Sequence, residues 1–224
     1  MSERKRLAAE KAVELVQDGM KVGLGTGSTA FYAIEAIGQL VKDGFDILAV
    51  PTSLASEKQA RELKIPLATL EEAGTLDITI DGADEVDGNL DLIKGMGGAL
   101  LREKIVAYST RVQVIVIDDS KLVHQLGTKF PLPVEVVQFS HGRTRMFMEE
   151  LGCRPELRGG NLPFVTDNGN YIYHLQFDRG IKDPYELQRK LKEIPGVVET
   201  GLFLKIAKKV IVASEDGIRV MERV

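Results

Sequence analysis

The strongest constraint on this chain is an alternation, sustained from residue 3 to residue 118, between short apolar runs and longer stretches of helical period. Residues 3–17 set Leu7, Ala8, Ala12, Leu15 and Val16 on one helical stripe. Residues 20–25 form a brief apolar run that ends in glycines, which predicts a buried strand. Residues 28–40 return to helical spacing, with Ser28 or Thr29 as the expected N-cap. Strands are predicted at 47–50, 67–69, 76–81 and 113–118, and helices at 53–63 and 98–109. Strand–helix alternation of this kind favours a parallel sheet with helices on both faces. The handedness of βαβ crossovers then puts the loops that follow the strands along one edge, where open α/β sheets bind ligands.

The character changes after Thr128. The run KFPLPVEV puts two prolines at the start of a strand and marks a boundary. Beyond it the sequence predicts a strand at 134–139 and a helix at 143–151. A hairpin follows, with 164–166 and 171–177 flanking the turn DNGN. The helix at 183–194 is capped by Asp183 with Pro184 at its first position, and 197–206 is extended. This order resembles a βαββαβ, ferredoxin-like unit. A final hairpin at 209–220, turning at SEDG, is expected to rejoin the first sheet. The expected fold is therefore an open, mostly parallel, Rossmann-like α/β sheet over residues 1–128 and 207–224. A smaller ferredoxin-like α+β domain takes residues 129–206.

Composition excludes several classes. Apolar residues make up 44% and charged residues 28%, an ordinary globular balance. With 29 Lys and Arg against 33 Asp and Glu, the net charge of −4 is a poor match to a nucleic-acid backbone. The one cysteine, Cys153, permits no intrachain disulfide and no cysteine-based metal cluster, and it suits a reducing cytosol. The first residues, MSERKRLAAEKAVELV, read as a charged amphipathic helix and not as a signal peptide. No apolar run approaches the ~18 residues of a membrane helix. A cytoplasmic protein with no membrane partner is expected.

Three segments on the ligand edge carry candidate chemistry. In the first, a strand runs into Gly23-Leu24-Gly25-Thr26-Gly27-Ser28-Thr29 and then a helix. Glycines bring backbone N–H groups close to an anion, and the helix start adds partial positive charge. A dinucleotide fingerprint fails, because Ser28 stands at its third glycine and no acid ends the second strand. A nucleotide P-loop fails because no lysine follows. A tight turn that binds nothing stays open. The second segment is Asp81-Gly82-Ala83-Asp84-Glu85-Val86-Asp87-Gly88-Asn89. Asp81 and Asp84 can accept hydrogen bonds or protons from a polyhydroxyl substrate. The EF-hand pattern fails from either start, at Ala83 or at Leu92. A magnesium site on one or two carboxylates stays open, as does a solvated acidic turn.

The third segment is Lys94-Gly95-Met96-Gly97-Gly98-Ala99-Leu100-Leu101-Arg102-Glu103-Lys104. Lys94 precedes a flexible turn, where an ammonium can meet a developing oxyanion. Glu103 shares a helix face with Ala99 and Ala107, whose small side chains leave room for a substrate. A carboxylate partly buried there has a raised pKa suited to base work. A surface glutamate in a Glu/Lys-rich helix is the plainer alternative. Lys121, after the fifth strand, and Lys5, on the first helix, can each pair with a phosphate or simply lie on the surface.

Taken in order, the glycine cradle, DGADE, KGMGGA with LLREK, KFPLPVEV, DNGN, IPGVVETGLF and SEDG closely resemble the type A ribose-5-phosphate isomerases along almost the whole chain. The resemblance implies an aldose–ketose isomerase acting on a pentose 5-phosphate, with no cofactor and no metal, and a homo-oligomer, the dimer favoured. It implies that Thr26, Gly27, Ser28 and Thr29 form the substrate loop. Asp81, Gly82, Ala83 and Asp84 form the acidic loop, and Lys94, Gly95, Met96 and Gly97 the K-G-x-G loop. Glu103 is then the proton acceptor, Lys121 a substrate contact and Lys5 a phosphate contact. Met96 departs from the glycine of many relatives, and a positive φ there would strain it. Two other readings remain at this point. One is a non-catalytic sugar-phosphate-binding module on the same fold. The other is a nucleotide-dependent oxidoreductase, which the failed fingerprint disfavours.

Overall fold

The computed structural model describes residues 2–223. Contacts divide the chain into two compact units. One comprises Met1–Ala83, Arg102–Lys121 and Lys205–Val224; the other comprises Asp84–Leu101 and Leu122–Leu204.

The first unit is a six-stranded sheet. It contains β1 (Lys21–Leu24), β2 (Leu48–Pro51) and β3 (Leu76–Asp81). The other unit interposes β4 (Glu85–Val86) and β5 (Leu92–Ile93), and the first sheet resumes at β6 (Thr110–Asp118). The parallel strands β2, β1, β3 and β6 are neighbours in that order. The chain therefore steps from β1 to one side and then returns to the other. In open α/β sheets the crevice outside the strand ends at such a reversal is the usual ligand site. Here the reversal lies between the ends of β1 and β3, at Leu24 and Asp81.

Helices α1 (Ser2–Val13), α2 (Ser28–Lys42) and α3 (Leu54–Glu62) cover one face of the sheet. Ala8, Ala12, Ile34, Ile37 and Ala60 pack there with Val22, Ala49, Ile78, Ile80, Val114 and Val116. The short α4 (Leu70–Ala73) and α5 (Leu100–Tyr108) serve the opposite face, where Val106 and Ala73 meet Val50 and Leu76. The expected strand at 67–69 is a single bridge from Leu67 to Ala49. A capping box between Thr69 and Glu72 draws the following residues into α4 instead. The expected cap of α2 is also corrected. Gly27, at φ 107°, is the N-cap and no side chain caps the helix.

The second unit contains β7 (Leu132–Val136), α6 (His141–Glu149), β8 (Arg154–Leu157), β9 (Tyr171–Gln176), α7 (Pro184–Glu193) and β10 (Val197–Thr200). Its four-stranded sheet runs β10-β7-β9-β8 with every neighbour antiparallel, the arrangement of a βαββαβ unit. Leu132, Val134, Val136, Tyr173 and Leu175 pack against Met148, Leu187 and Leu191. The Asp183 carboxylate accepts from Tyr185 N (3.1 Å) and Glu186 N (2.9 Å), the cap expected from Asp-Pro. The DNGN hairpin is corrected. Tyr171–Gln176 pairs with Arg154–Leu157, and only the bridge Val165 to Tyr171 spans the turn. The reason is Glu135, fully buried on β7. It accepts from Thr166 Oγ1 (2.9 Å), Asn168 Nδ2 (3.1 Å) and Asn170 Nδ2 (2.9 Å), so side chains pin this loop in place of a ladder.

The domain boundary moves as well. Residues 84–101 and 122–128, expected in the first domain, pack with the second unit. Strands β4 and β5 join β11 (Leu202–Phe203) in a three-stranded antiparallel sheet. The buried Glu85 carboxylate accepts from the backbone N–H groups of Gly127 (2.6 Å), Lys129 (2.6 Å) and Phe130 (2.7 Å). Two-residue strands and a buried carboxylate leave no periodic trace in a sequence. The terminal hairpin, β12 (Lys209–Ser214) and β13 (Gly217–Glu222), returns to the first sheet with β12 parallel to β6. Among the described residues, no helix is long and apolar enough to cross a membrane.

Candidate active site

At the end of β1 the chain passes closer to β3 than any side chain permits. A Cβ built on Gly25 would lie 2.3 Å from Asp81 Oδ1 and 2.6 Å from the Asp81 Cα. The same Oδ1 accepts from Thr26 N (3.1 Å) and Gly82 N (2.7 Å), so one carboxylate, 1% exposed, ties the glycine loop to the acidic loop. Thr26 Oγ1 lies 2.8 Å from both Thr52 Oγ1 and Ser53 Oγ. These two hydroxyls follow β2 on the same edge. They were not singled out in the sequence, although their place directly after a strand of the parallel sheet was the available signal.

Gly27 and Ser28 are exposed at the start of α2, and Thr29 is buried. Lys5, on α1, donates from Nζ to Ser28 Oγ at 2.9 Å. A cation thus stands beside helix-terminal N–H groups that no side chain caps, an arrangement suited to an anion. A cleft of about 540 Å³ opens next to Gly25, Thr26, Gly27 and Ser28, walled by Phe31 and Tyr32 of α2 and by Lys58 and Gln59 of α3. Lys121 is half-buried and ends the single helical turn Asp119–Lys121 that follows β6. Arg4 Nη1 reaches Asp119 at 3.2 Å, so α1 is anchored to this turn as well as to the glycine loop.

Glu103 lies in the first turn of α5 and is 4% exposed. Ala99, the residue before the helix, and Ala107 are each 5% exposed. The surface-glutamate alternative therefore falls.

Asp84, Lys94, Gly95, Met96 and Gly97, also expected from the sequence, belong to the second unit. Asp84 N donates to Ile93 O at 2.8 Å, and Asp84 Oδ2 accepts from Met96 N at 3.0 Å, which joins the acidic loop to the K-G-x-G turn. Lys94 is 2% exposed. Its N–H donates to Gly201 O at 2.9 Å, and its ammonium lies 5.4 Å from the centre of the Phe203 ring. Gly95 (φ 109°) and Gly98 (φ 95°) take the left-handed steps of the turn. Met96 is not among the residues at positive φ, so the strain considered for it is absent.

The acidic run divides by task. Asp81 and Asp84 hold the loops just described. Glu85 ties down 127–130, and Asp87 Oδ1 accepts from Asn89 N and Asp91 N, both at 2.9 Å, closing a tight turn. Among the described residues, no group of three or more His, Cys, Asp or Glu side chains is arranged to hold a metal ion.

Residues 48–217 match the family described as ribose 5-phosphate isomerase A (phosphoriboisomerase A). Ribose-5-phosphate isomerase A of Bacillus mycoides is 50% identical over 220 residues, covering 98% of this chain and 99% of that protein. The solved ribose 5-phosphate isomerase from Plasmodium falciparum superposes with a TM-score of 0.96 at 41% identity, covering 99% of each chain. A D-ribose-5-phosphate isomerase in complex with phospho-erythronic acid superposes with a TM-score of 0.95 at 42% identity, covering 99% of this chain and 98% of that one. On these likenesses the chain belongs to the ribose 5-phosphate isomerase A family.

Proposed function

We propose that this protein interconverts D-ribose 5-phosphate and D-ribulose 5-phosphate through an enediolate, a step of the non-oxidative pentose phosphate pathway, with Glu103 as the proton-transfer base. The observation that carries the assignment is the burial of Glu103 at 4% exposure. A carboxylate in such a place is shielded from bulk water.

The chemistry needs few groups. A base removes the C2 proton of the open-chain aldose and returns it to C1, while the hydroxyl proton passes from O2 to O1. One carboxylate can do both transfers, which favours a cis enediolate. The developing oxyanion calls for a cation and N–H donors, the parts assigned to Lys94 and the turn of Gly95, Met96 and Gly97. Asp81 is assigned to opening the sugar ring, with Asp84 assisting by hydrogen bonding. Thr26, Gly27, Ser28 and Thr29, with Lys5 and Lys121, are assigned to the phosphate end. Support for this end is the Lys5–Ser28 contact at 2.9 Å beside an uncapped helix start. The relative solved with phospho-erythronic acid supports the reading too. That ligand pairs a phosphate with a carboxylate, which spreads its charge over two oxygens as a cis enediolate does. A cytoplasmic homodimer working without a cofactor completes the proposal, and sedimentation tests the dimer.

Glu103→Gln is the deciding variant. It should lower turnover by roughly 10²–10⁴, the usual contribution of a positioned base, and abolish exchange of the C2 proton in D₂O. Binding of a phosphorylated sugar acid should be largely kept. Near-normal turnover in this variant would remove Glu103 from the base role.

A further inference from the structure

The loop 158–170 of the second unit has no part in the chemistry above, yet it carries a cation into the protein. Its far end is held by Glu135 through Thr166, Asn168 and Asn170. Its near end is held by the backbone, with Arg158 N donating to Ile172 O and Phe164 N to Arg158 O, both at 2.9 Å. Between these anchors the Arg158 guanidinium sits over the Phe164 ring, 3.8 Å from its centre. An aromatic face at that distance attracts a cation and fixes its orientation.

The stack is pressed against Gly98, the residue that directly follows the K-G-x-G loop. A Cβ on Gly98 would lie 2.6 Å from two ring carbons of Phe164 and 2.9 Å from Arg158 Nη1. Gly98 closes the turn that Lys94 opens, and its N–H donates to Gly95 O at 2.9 Å. Arg158 Nη1 is itself buried with no hydrogen-bond partner among the described residues. Asp84, which accepts from Met96 N in the same turn, acts electrostatically on this cation. Burial pulls the Arg158 pKa down, and the Asp84 charge opposes that pull. On β9, His174 is held below its ordinary value by burial and then by Arg158, with Asp84 and Glu156 opposing. A cation that is costly to bury and is not spent on a hydrogen bond at Nη1 needs a reason to be there.

We propose that Arg158, stacked on Phe164, is a positioning residue for the isomerase reaction: the stack braces the turn 94–98 where it meets Gly98. The proposal rests on the reading that Asp84 and the Lys94 turn meet the sugar. Arg158 touches no reacting atom in this scheme. Its effect passes through the backbone of the turn.

The test uses Arg158→Met, Arg158→Lys and Phe164→Leu in the full chain, with two readouts. In the isomerase assay, Arg158→Met should lower kcat by roughly 10- to 100-fold, the scale of a small misplacement, with a lesser change in KM. Arg158→Lys, which keeps a cation over the ring, should recover much of the loss. In hydrogen–deuterium exchange, the N–H groups of Met96 and Gly98 should exchange faster in Arg158→Met and Phe164→Leu than in the parent. Exchange at Met96 and Gly98 unchanged in Arg158→Met overturns the proposal. So does equal impairment of the Met and Lys variants in step with their thermal stability, which marks a purely structural role. A parent protein that does not convert ribose 5-phosphate instead overturns the functional reading, and the exchange data still decide whether Arg158 holds the turn.

Discussion

Gly25→Ala tests whether the approach of β1 to β3 sets the geometry of the proposed sugar site. Gly25 is not among the glycines at positive φ, so alanine meets no backbone penalty there and only space is at issue. The added Cβ would stand 2.6 Å from Asp81 Cα, a backbone atom, as well as 2.3 Å from Asp81 Oδ1. Carbon atoms pack at roughly 3.5–4.0 Å, so the strand ends must part by about 1 Å. Overpacking of this kind costs about 1–3 kcal/mol. At about 2–4 °C per kcal/mol for a chain of this size, the thermal midpoint should fall by roughly 2–12 °C. Activity should suffer more, because Asp81 Oδ1 is the shared acceptor of Thr26 N and Gly82 N. A misplacement near 1 Å at such a group costs on the order of 10²-fold in kcat/KM. The assay is conversion of ribose 5-phosphate to ribulose 5-phosphate, run beside a thermal melt. Gly142→Ala is the control of opposite sign. Gly142 lies exposed in α6 with nothing within 4 Å of its added Cβ, so alanine there should stabilise by about 0.5–1 kcal/mol. A Gly25→Ala protein with parental midpoint and kcat/KM within twofold would refute the close-approach argument.

Three further outcomes are expected. Glu85→Ala removes a buried carboxylate that accepts three backbone N–H bonds. At about 1.5 kcal/mol for each charged hydrogen bond, urea unfolding should show a loss of roughly 3–5 kcal/mol, and a loss below about 1 would deny Glu85 its structural role. Burial pushes the Cys153 thiol up to about 11 from 9.0, so its thiolate is scarce at pH 8. Alkylation of the native protein should run roughly 100-fold slower than that of the unfolded chain, and equal rates would contradict the burial. The same shift favours the neutral thiol in the fold, so its stabilising contribution is full below pH 9 and is lost as pH rises towards 11. Finally, dialysis against EDTA should leave turnover unchanged if Glu103 and Lys94 suffice. Activity lost and then restored by Mg²⁺ would assign the charge stabilisation to a metal.

What was legible in the sequence was local. The period of α2, the Asp183-Pro184 start of α7 and the glycines before α2 and α5 each depend on residues within a turn of one another, so neighbouring letters suffice to read them. Long ordered strings such as DGADE and KGMGGA carried the family, because they combine residue identity with spacing. Even locally there was one loss: Gly27 took the cap of α2 from Ser28 and Thr29, leaving Ser28 to meet Lys5, 23 residues away. The contacts that remained hidden are non-local. Strands β4, β5 and β11 are two residues each and exist only because they pair with one another. Nothing adjacent to Glu85 or Glu135 says that these carboxylates are buried and accept hydrogen bonds from loops some 30–45 residues away.

By itself, then, the sequence determined the longer elements and their alternation, since these follow from side-chain chemistry and short-range backbone preference. Only the tertiary structure decided that residues 84–101 pack with the second unit, that Glu103 is shielded from water, and that Asp81 Oδ1 binds two loops at once. Burial and hydrogen-bond partnership are properties of the whole packed chain. They are created when distant segments exclude water together, and no single stretch of residues contains them.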